Sequence, residues 1–134
     1  MVGYSVSPLA TKLGIKIGTK IRPINAPEGY LTLVEPLPPG TKVVGRLSGD
    51  TDIVHIFSSR RAEIAKALKA YREKLKPTAV VWVSWPKKAA KLQADITEDI
   101  VREIALPLGF VDIKVCAVTD IWSGLKLEVR QKLR

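Results

Sequence analysis

The chain is poor in the residues that usually announce chemistry. Its 134 residues include one cysteine, Cys116, one histidine, His55, one methionine and few aromatics: three Trp, three Tyr and two Phe. A lone cysteine closes no internal disulfide, and one histidine beside one cysteine makes no zinc-ligand set, so neither a disulfide scaffold nor a bound metal is expected. No stretch approaches the roughly 20 consecutive apolar residues needed to span a bilayer, so no membrane partner is expected. The N-terminal segment MVGYSVSPLATKLG has no basic region followed by an apolar core, which points to a cytoplasmic protein. There is no internal repeat, no glycine-rich phosphate loop and no nucleophile–base pair within one segment. Substrate, reaction and oligomeric state are therefore not written in any motif, and catalysis is not the favoured expectation.

What is present is an ordinary globular composition, 46% apolar and 26% charged. The length suits a single α/β domain over residues 1–134, burying roughly two-thirds of its unfolded surface. Charge is the most informative quantity because it is uneven. Of the formal net charge of +9, residues 60–91 carry eight, with ten Lys and Arg against Glu63 and Glu73. A lysine-rich helix face is most often merely solvated. The same field could also draw in an anionic partner, nucleic acid included, through Arg60, Arg61, Lys66, Lys69, Lys87, Lys88 and Lys91.

Periodicity and punctuation order the chain. PLATKL predicts a short helix capped by Ser7 and stopped at Gly14, and Lys20–Ile24 a first strand ending in the turn NAPEGY. A short amphipathic piece over Tyr30–Glu35 comes next, and KVVGRL (42–47) reads as the second strand. DIVHIF (52–57) is apolar without alternation, which suits a parallel strand covered on both faces. Ser58 or Ser59 is placed to cap the next helix, whose Ile64, Leu68, Tyr71 and Leu75 form one core-facing stripe. Ala79–Trp85 is again a continuous apolar strand. Asp95 and Glu98 resemble a capping box opening a helix over 96–106. VDIKVCAV, with Val111, Ile113, Val115 and Ala117 on one side, and LKLEVR alternate as an antiparallel hairpin. Strands interleaved with helices predict a three-layer Rossmann-like α/β domain, with a mostly parallel sheet of about six strands ending in that hairpin.

The order from DIVHIF onward resembles the later half of the class I methyltransferase fold. That resemblance implies a ligand crevice beyond the strand C-terminal ends, between the first strand and DIVHIF. It also implies S-adenosylmethionine as cofactor. NAPEGY, however, stands where that family has a glycine-rich turn, and Asp50 falls several residues late for the acidic ribose partner, so the cofactor is disfavoured and none is expected. At finer grain, SPLATKLGIKIG, VSWPKK, TEDIVREIALPLGFVDIKVCAV and WSGLKL resemble a family of short bacterial proteins of unknown function. That resemblance implies no activity.

The candidate ligand site is accordingly Asn25, Ser58, Ser59, Arg60, Ser84, Trp85, Lys87 and Lys88 at the sheet's carboxyl edge. There a serine hydroxyl and ammonium groups could hold a phosphate or carboxylate, and Trp85 could stack on the ligand. The favoured expectation is a non-enzymatic or degenerate domain binding an anionic small molecule or partner. The alternatives are nucleic-acid binding through the basic segment, and a divergent transferase using Asn25, Ser84 and Lys87. His55 reads as a satisfied core histidine, Cys116 as a small packed hydrophobe, and Glu98, Asp99, Arg102 and Glu103 as helix first turns. Trp122, near the hairpin loop, either covers the sheet or faces a partner.

Overall fold

The computed structural model describes residues 8–134. Six strands form one sheet in the order β2-β1-β3-β4-β6-β5. These are β1 Lys20–Ile24, β2 Lys42–Val43, β3 Ile53–Phe57, β4 Val80–Pro86, β5 Phe110–Ala117 and β6 Trp122–Val129. β2, β1, β3 and β4 run parallel, while β6 pairs antiparallel with both β4 and β5. The mostly parallel sheet with its terminal hairpin is the predicted α/β architecture. Four helices, α1 Leu9–Leu13, α2 Tyr30–Leu33, α3 Arg61–Lys74 and α4 Glu98–Ala105, cover the two faces.

Every residue of β3 is buried, as its unbroken apolar run requires. Its even residues Val54 and Ile56 join Val81, Val83, Trp85, Leu125, Leu127 and the stripe Ile64, Leu68, Tyr71 under α3 and α4. Its odd residues Ile53 and Phe57 join Trp82, Leu13, Tyr30 and Val34 under α1 and α2. Both helices of the first face are amphipathic, and α3 has the length to cover several strands. On the second face α1 and α2 are single turns, so large side chains fill the depth. Trp82, fully buried, donates its indole N–H to the carbonyl of Leu13 at 3.0 Å and ties α1 to β4.

Several local expectations are corrected. The second strand is two residues, Lys42–Val43, because its side chains are exposed and β2 is an edge with no second neighbour to pair with. β4 runs on to Pro86, opposite Trp122 of β6, one residue past the predicted end. No serine side chain caps α3. Ser58 Oγ instead accepts from the Arg60 amide at 3.0 Å, and the Arg61 amide donates to Asp95 Oδ1 at 2.6 Å. Asp95 thus caps α3 across space, and α4 is capped by Thr97, which accepts from the Ile100 amide at 3.2 Å. The Ser7 cap lies outside the described residues. Finally, the β5 alternation breaks, because Asp112 faces Leu127 while Lys114 faces Lys126, which leaves Ile113 as a bulge. Val111 and Val115 therefore lie on opposite faces, and Ile113 and Val115 stay 45% and 44% exposed on the edge strand.

Candidate functional site

The parallel order reverses between β1 and β3, and in open α/β sheets that switch point is where ligands bind, beyond the strand C-terminal ends. Two turns rise there. After β1, Asn25 takes a left-handed conformation (φ 57°) and Gly29 does so again (φ 83°), which folds the chain straight into α2. After β3, Ser58, Ser59 and Arg60 lead into α3. Two clefts flank this second turn. One, of about 370 Å³, lies between β1 and α3, with Ile24, Ile56 and Tyr71 as an apolar floor and Asn25, Glu63 and Lys66 as polar lining. The other, of about 430 Å³, is lined by Ser59, Arg60, Gln93, Ala94 and Asp95. Lys87 and Lys88 follow β4 at the same edge, where the Lys87 amide donates to the Ile121 carbonyl at 2.8 Å.

Of the predicted site residues, Asn25, Ser59 and Arg60 line these clefts, and Lys87 and Lys88 stand beyond the strand end. Ser58 is buried and structural, bonded to the Arg60 amide and to Glu63. Two residues are corrected outright. Trp85, 6% exposed, points into the α3/α4 core and offers no stacking face. Ser84, 0% exposed, points to the other face, because consecutive strand residues alternate, and its hydroxyl is committed to His55.

That commitment is the least legible feature of the chain. His55 Nε2 lies 2.7 Å from Ser84 Oγ, and His55 Nδ1 lies 2.8 Å from Tyr30 Oη. The imidazole also stacks on Phe57 at 4.2 Å between centroids. Histidine–serine proximity is the geometry of an activated nucleophile, but His55 and Ser84 are wholly buried, so no substrate reaches them. Burial pushes the His55 pKa down to about 3 and the Tyr30 phenol well above its usual range, so both are neutral at pH 7. His55 is the satisfied core histidine the sequence suggested, now with named partners. Trp122 folds back onto Phe57, 5.1 Å away edge to face, and Cys116 packs half-buried beside that cluster, where burial raises its thiol pKa.

The basic segment divides. Arg60 and Arg61 reach Glu63 and Glu103 at 3.8 and 3.7 Å, whereas Lys66, Lys69, Lys88 and Lys91 are exposed. Among the acidic helix residues, Arg102 gathers Glu98, Asp99 and Asp112, a role of structure. Among the described residues no three of His, Cys, Asp and Glu converge as a metal-ligand set, and no helix is long and apolar enough to cross a membrane.

The chain's residues do not fit S-adenosylmethionine. The turn after β1 carries side chains at Asn25, Ala26 and Pro27, where close backbone approach to a cofactor needs glycine. The two acids between β2 and β3, Asp50 and Asp52, pair with Lys20 and Lys76 at the end of the sheet where β1 and β3 begin, opposite that turn.

No protein-family model and no curated protein matches the chain, so the resemblance to the short bacterial family rests on its motifs alone. Solved structures do match. A possible exported protein from Bordetella parapertussis superposes with a TM-score of 0.66 at 11% identity, over 90% of this chain and 65% of that one, so the chain spans just under two-thirds of its length. A SAM dependent methyltransferase from Aquifex aeolicus gives 0.61 at 14% identity, over 90% and 87%. A tRNA methyltransferase from B. subtilis gives 0.56 at 14%, over 94% and 67%. At such identities the likeness is one of fold: the chain has a methyltransferase-like Rossmann architecture.

Proposed function

We propose that this chain is a degenerate Rossmann-like domain that performs no methyl transfer and binds an anionic small molecule or partner at the carboxyl edge of its sheet. The observation that carries the reading is the pair of clefts at this edge, one lined by Ser59 and Arg60 of the β3–α3 turn, the other with an apolar floor and Lys66 in its lining. Lys87 and Lys88 add positive charge at the same edge. In the cleft between β1 and α3 an anionic group would meet the Lys66 ammonium while an apolar body rests on Ile24 and Tyr71, and in the other cleft the Arg60 guanidinium is the donor. A transferase working through Ser84 is disfavoured, because that hydroxyl is buried and bonded to His55.

The exposed lysines of α3 favour a second reading, nucleic-acid binding over a wider surface including Arg61 and Lys91. Titration with phenyl phosphate and with a short RNA oligonucleotide separates the two. If the edge is a localised site, Arg60→Ala/Arg61→Ala and Lys87→Ala/Lys88→Ala each weaken phenyl phosphate about tenfold, the scale of a charge-assisted contact, and Lys69→Ala/Lys74→Ala does not. Equal losses of RNA affinity from all three pairs, steepening with salt, favour the nucleic-acid surface. No loss from any pair returns the lysines to a solvated face. Calorimetry with S-adenosylmethionine should show nothing tighter than about millimolar, and a micromolar constant overturns the claim of a lost donor site.

A further inference from the structure

A third cleft opens at the opposite end of the sheet, where β1, β3 and β4 begin. It has a volume of about 430 Å³ and includes Gly14, Lys16, Thr19, Thr78 and Lys126 among its lining residues, with Ile17 and Val80 as apolar surface over the buried Leu13 and Ile53. It is distinct from the carboxyl-edge site, with which it shares no residue.

Lys126 is the odd residue. It sits within β6, a strand with neighbours on both sides, and its side chain is only 19% exposed. Leu125 and Leu127 point into the α3/α4 core, so alternation turns Lys126 to the α1 face, opposite Trp82. A side chain at such a position is normally apolar, and a covered ammonium is costly unless a counter-charge meets it. Its acid neighbour, Glu128, meets it through Oε2 at 3.5 Å and takes Arg134 more closely through Oε1 at 3.1 Å. Asp52, the other carboxylate of the cleft, is held by Lys76 at 2.5 Å and by the Lys20 amide at 2.8 Å. Both acids are therefore shared with cations other than Lys126, which leaves the cleft with Lys126 and Lys16 to offer. A β-carbon on Gly14 would come 4.0 Å from the Lys126 ammonium, so α1 ends close beside it.

From this arrangement we infer a second ligand site, one that takes a small organic carboxylate with an apolar body. The carboxylate meets Lys126 and Lys16, the exposed Thr78 hydroxyl completes its hydrogen bonds, and the apolar body lies against Ile17 and Val80. The site is independent of the function proposed above and stands if that reading fails.

Benzoate at constant ionic strength is the probe, followed through backbone amide chemical shifts. Saturable shifts at Gly14, Gly18, Thr19 and Lys126 are expected. Lys126→Met, which keeps the aliphatic stem and removes the charge, should weaken binding about tenfold without lowering Tm. Lys16→Met serves the same purpose should Lys126→Met fail to fold, with a loss of several-fold. Lys132→Met, in the exposed turn after β6 and outside both proposed sites, should leave benzoate binding unchanged. The inference is overturned if no saturable shift occurs, if the shifts concentrate at Ser59 and Arg60, or if a folded lysine variant at this cleft binds as the native chain does.

Discussion

The two faces of β3 solve the same burial problem by different means. Toward α3 and α4, Val54 and Ile56 meet the stripe Ile64, Leu68 and Tyr71, and the packing is apolar throughout. Toward α1 and α2, Ile53 and Phe57 flank a histidine bonded on both nitrogens, and Trp82 anchors a single helical turn through its indole. Where long helices are present, their side chains interdigitate and fill the layer. Where the helices are single turns, large aromatics and a hydrogen-bonded chain reach across instead. The carboxyl-edge clefts lie around α3, and the cleft around Lys126 lies beside α1.

Trp82→Ala should break this contrast most severely. It removes the largest fully buried side chain and the bond to Leu13, and a loss of about 3–5 kcal/mol in urea unfolding is expected. A loss below about 1 kcal/mol would mean that α1 and its face contribute little to stability.

His55→Leu comes next, at about 2 kcal/mol or more, because it strands the Tyr30 and Ser84 hydroxyls in the core. The triple variant Tyr30→Phe/His55→Leu/Ser84→Ala should be more stable than His55→Leu alone, since no polar group is then left unpaired. If it is less stable, the hydrogen-bonded chain contributes more than its pairing.

The same residue predicts a pH dependence. The folded state holds His55 neutral down to about pH 3, whereas the unfolded chain protonates it near 6.5. Above about 6.5 both states are neutral and the contribution is complete. As pH falls toward 3, unfolding takes up a proton that folding excludes, and stability drops by about 1.4 kcal/mol per pH unit at its steepest. His55→Leu should flatten that slope relative to the native chain, and equal slopes would remove His55 from the account.

The smallest effect belongs to the other face, where Thr97→Ala should cost about 1 kcal/mol by uncapping α4. Asp95→Ala should act on α3 instead, and amide exchange that loosens α4 rather than α3 would refute the cross-capping.

Much of this was legible in one dimension. The unbroken run DIVHIF specified a strand buried on both faces, the spacing of Ile64, Leu68 and Tyr71 specified which side of α3 faces the sheet, and LKLEVR specified the inward leucines of β6, because periodicity is a local property of the chain. The fate of His55 could be read as core for the same reason. Its partners could not, since Tyr30 lies 25 residues before it and Ser84 29 residues after it, and only strand register and the landing of α2 bring them together. Trp85 and Ser84 were expected at an exposed edge because the run stops at Pro86. β6 continues beside β4 to the last residue, and that pairing, which no local pattern encodes, keeps both inside. The Ile113 bulge, the Asp95 cap on α3 and the cleft around Lys126 likewise depend on contacts between distant segments, which sequence spacing cannot express.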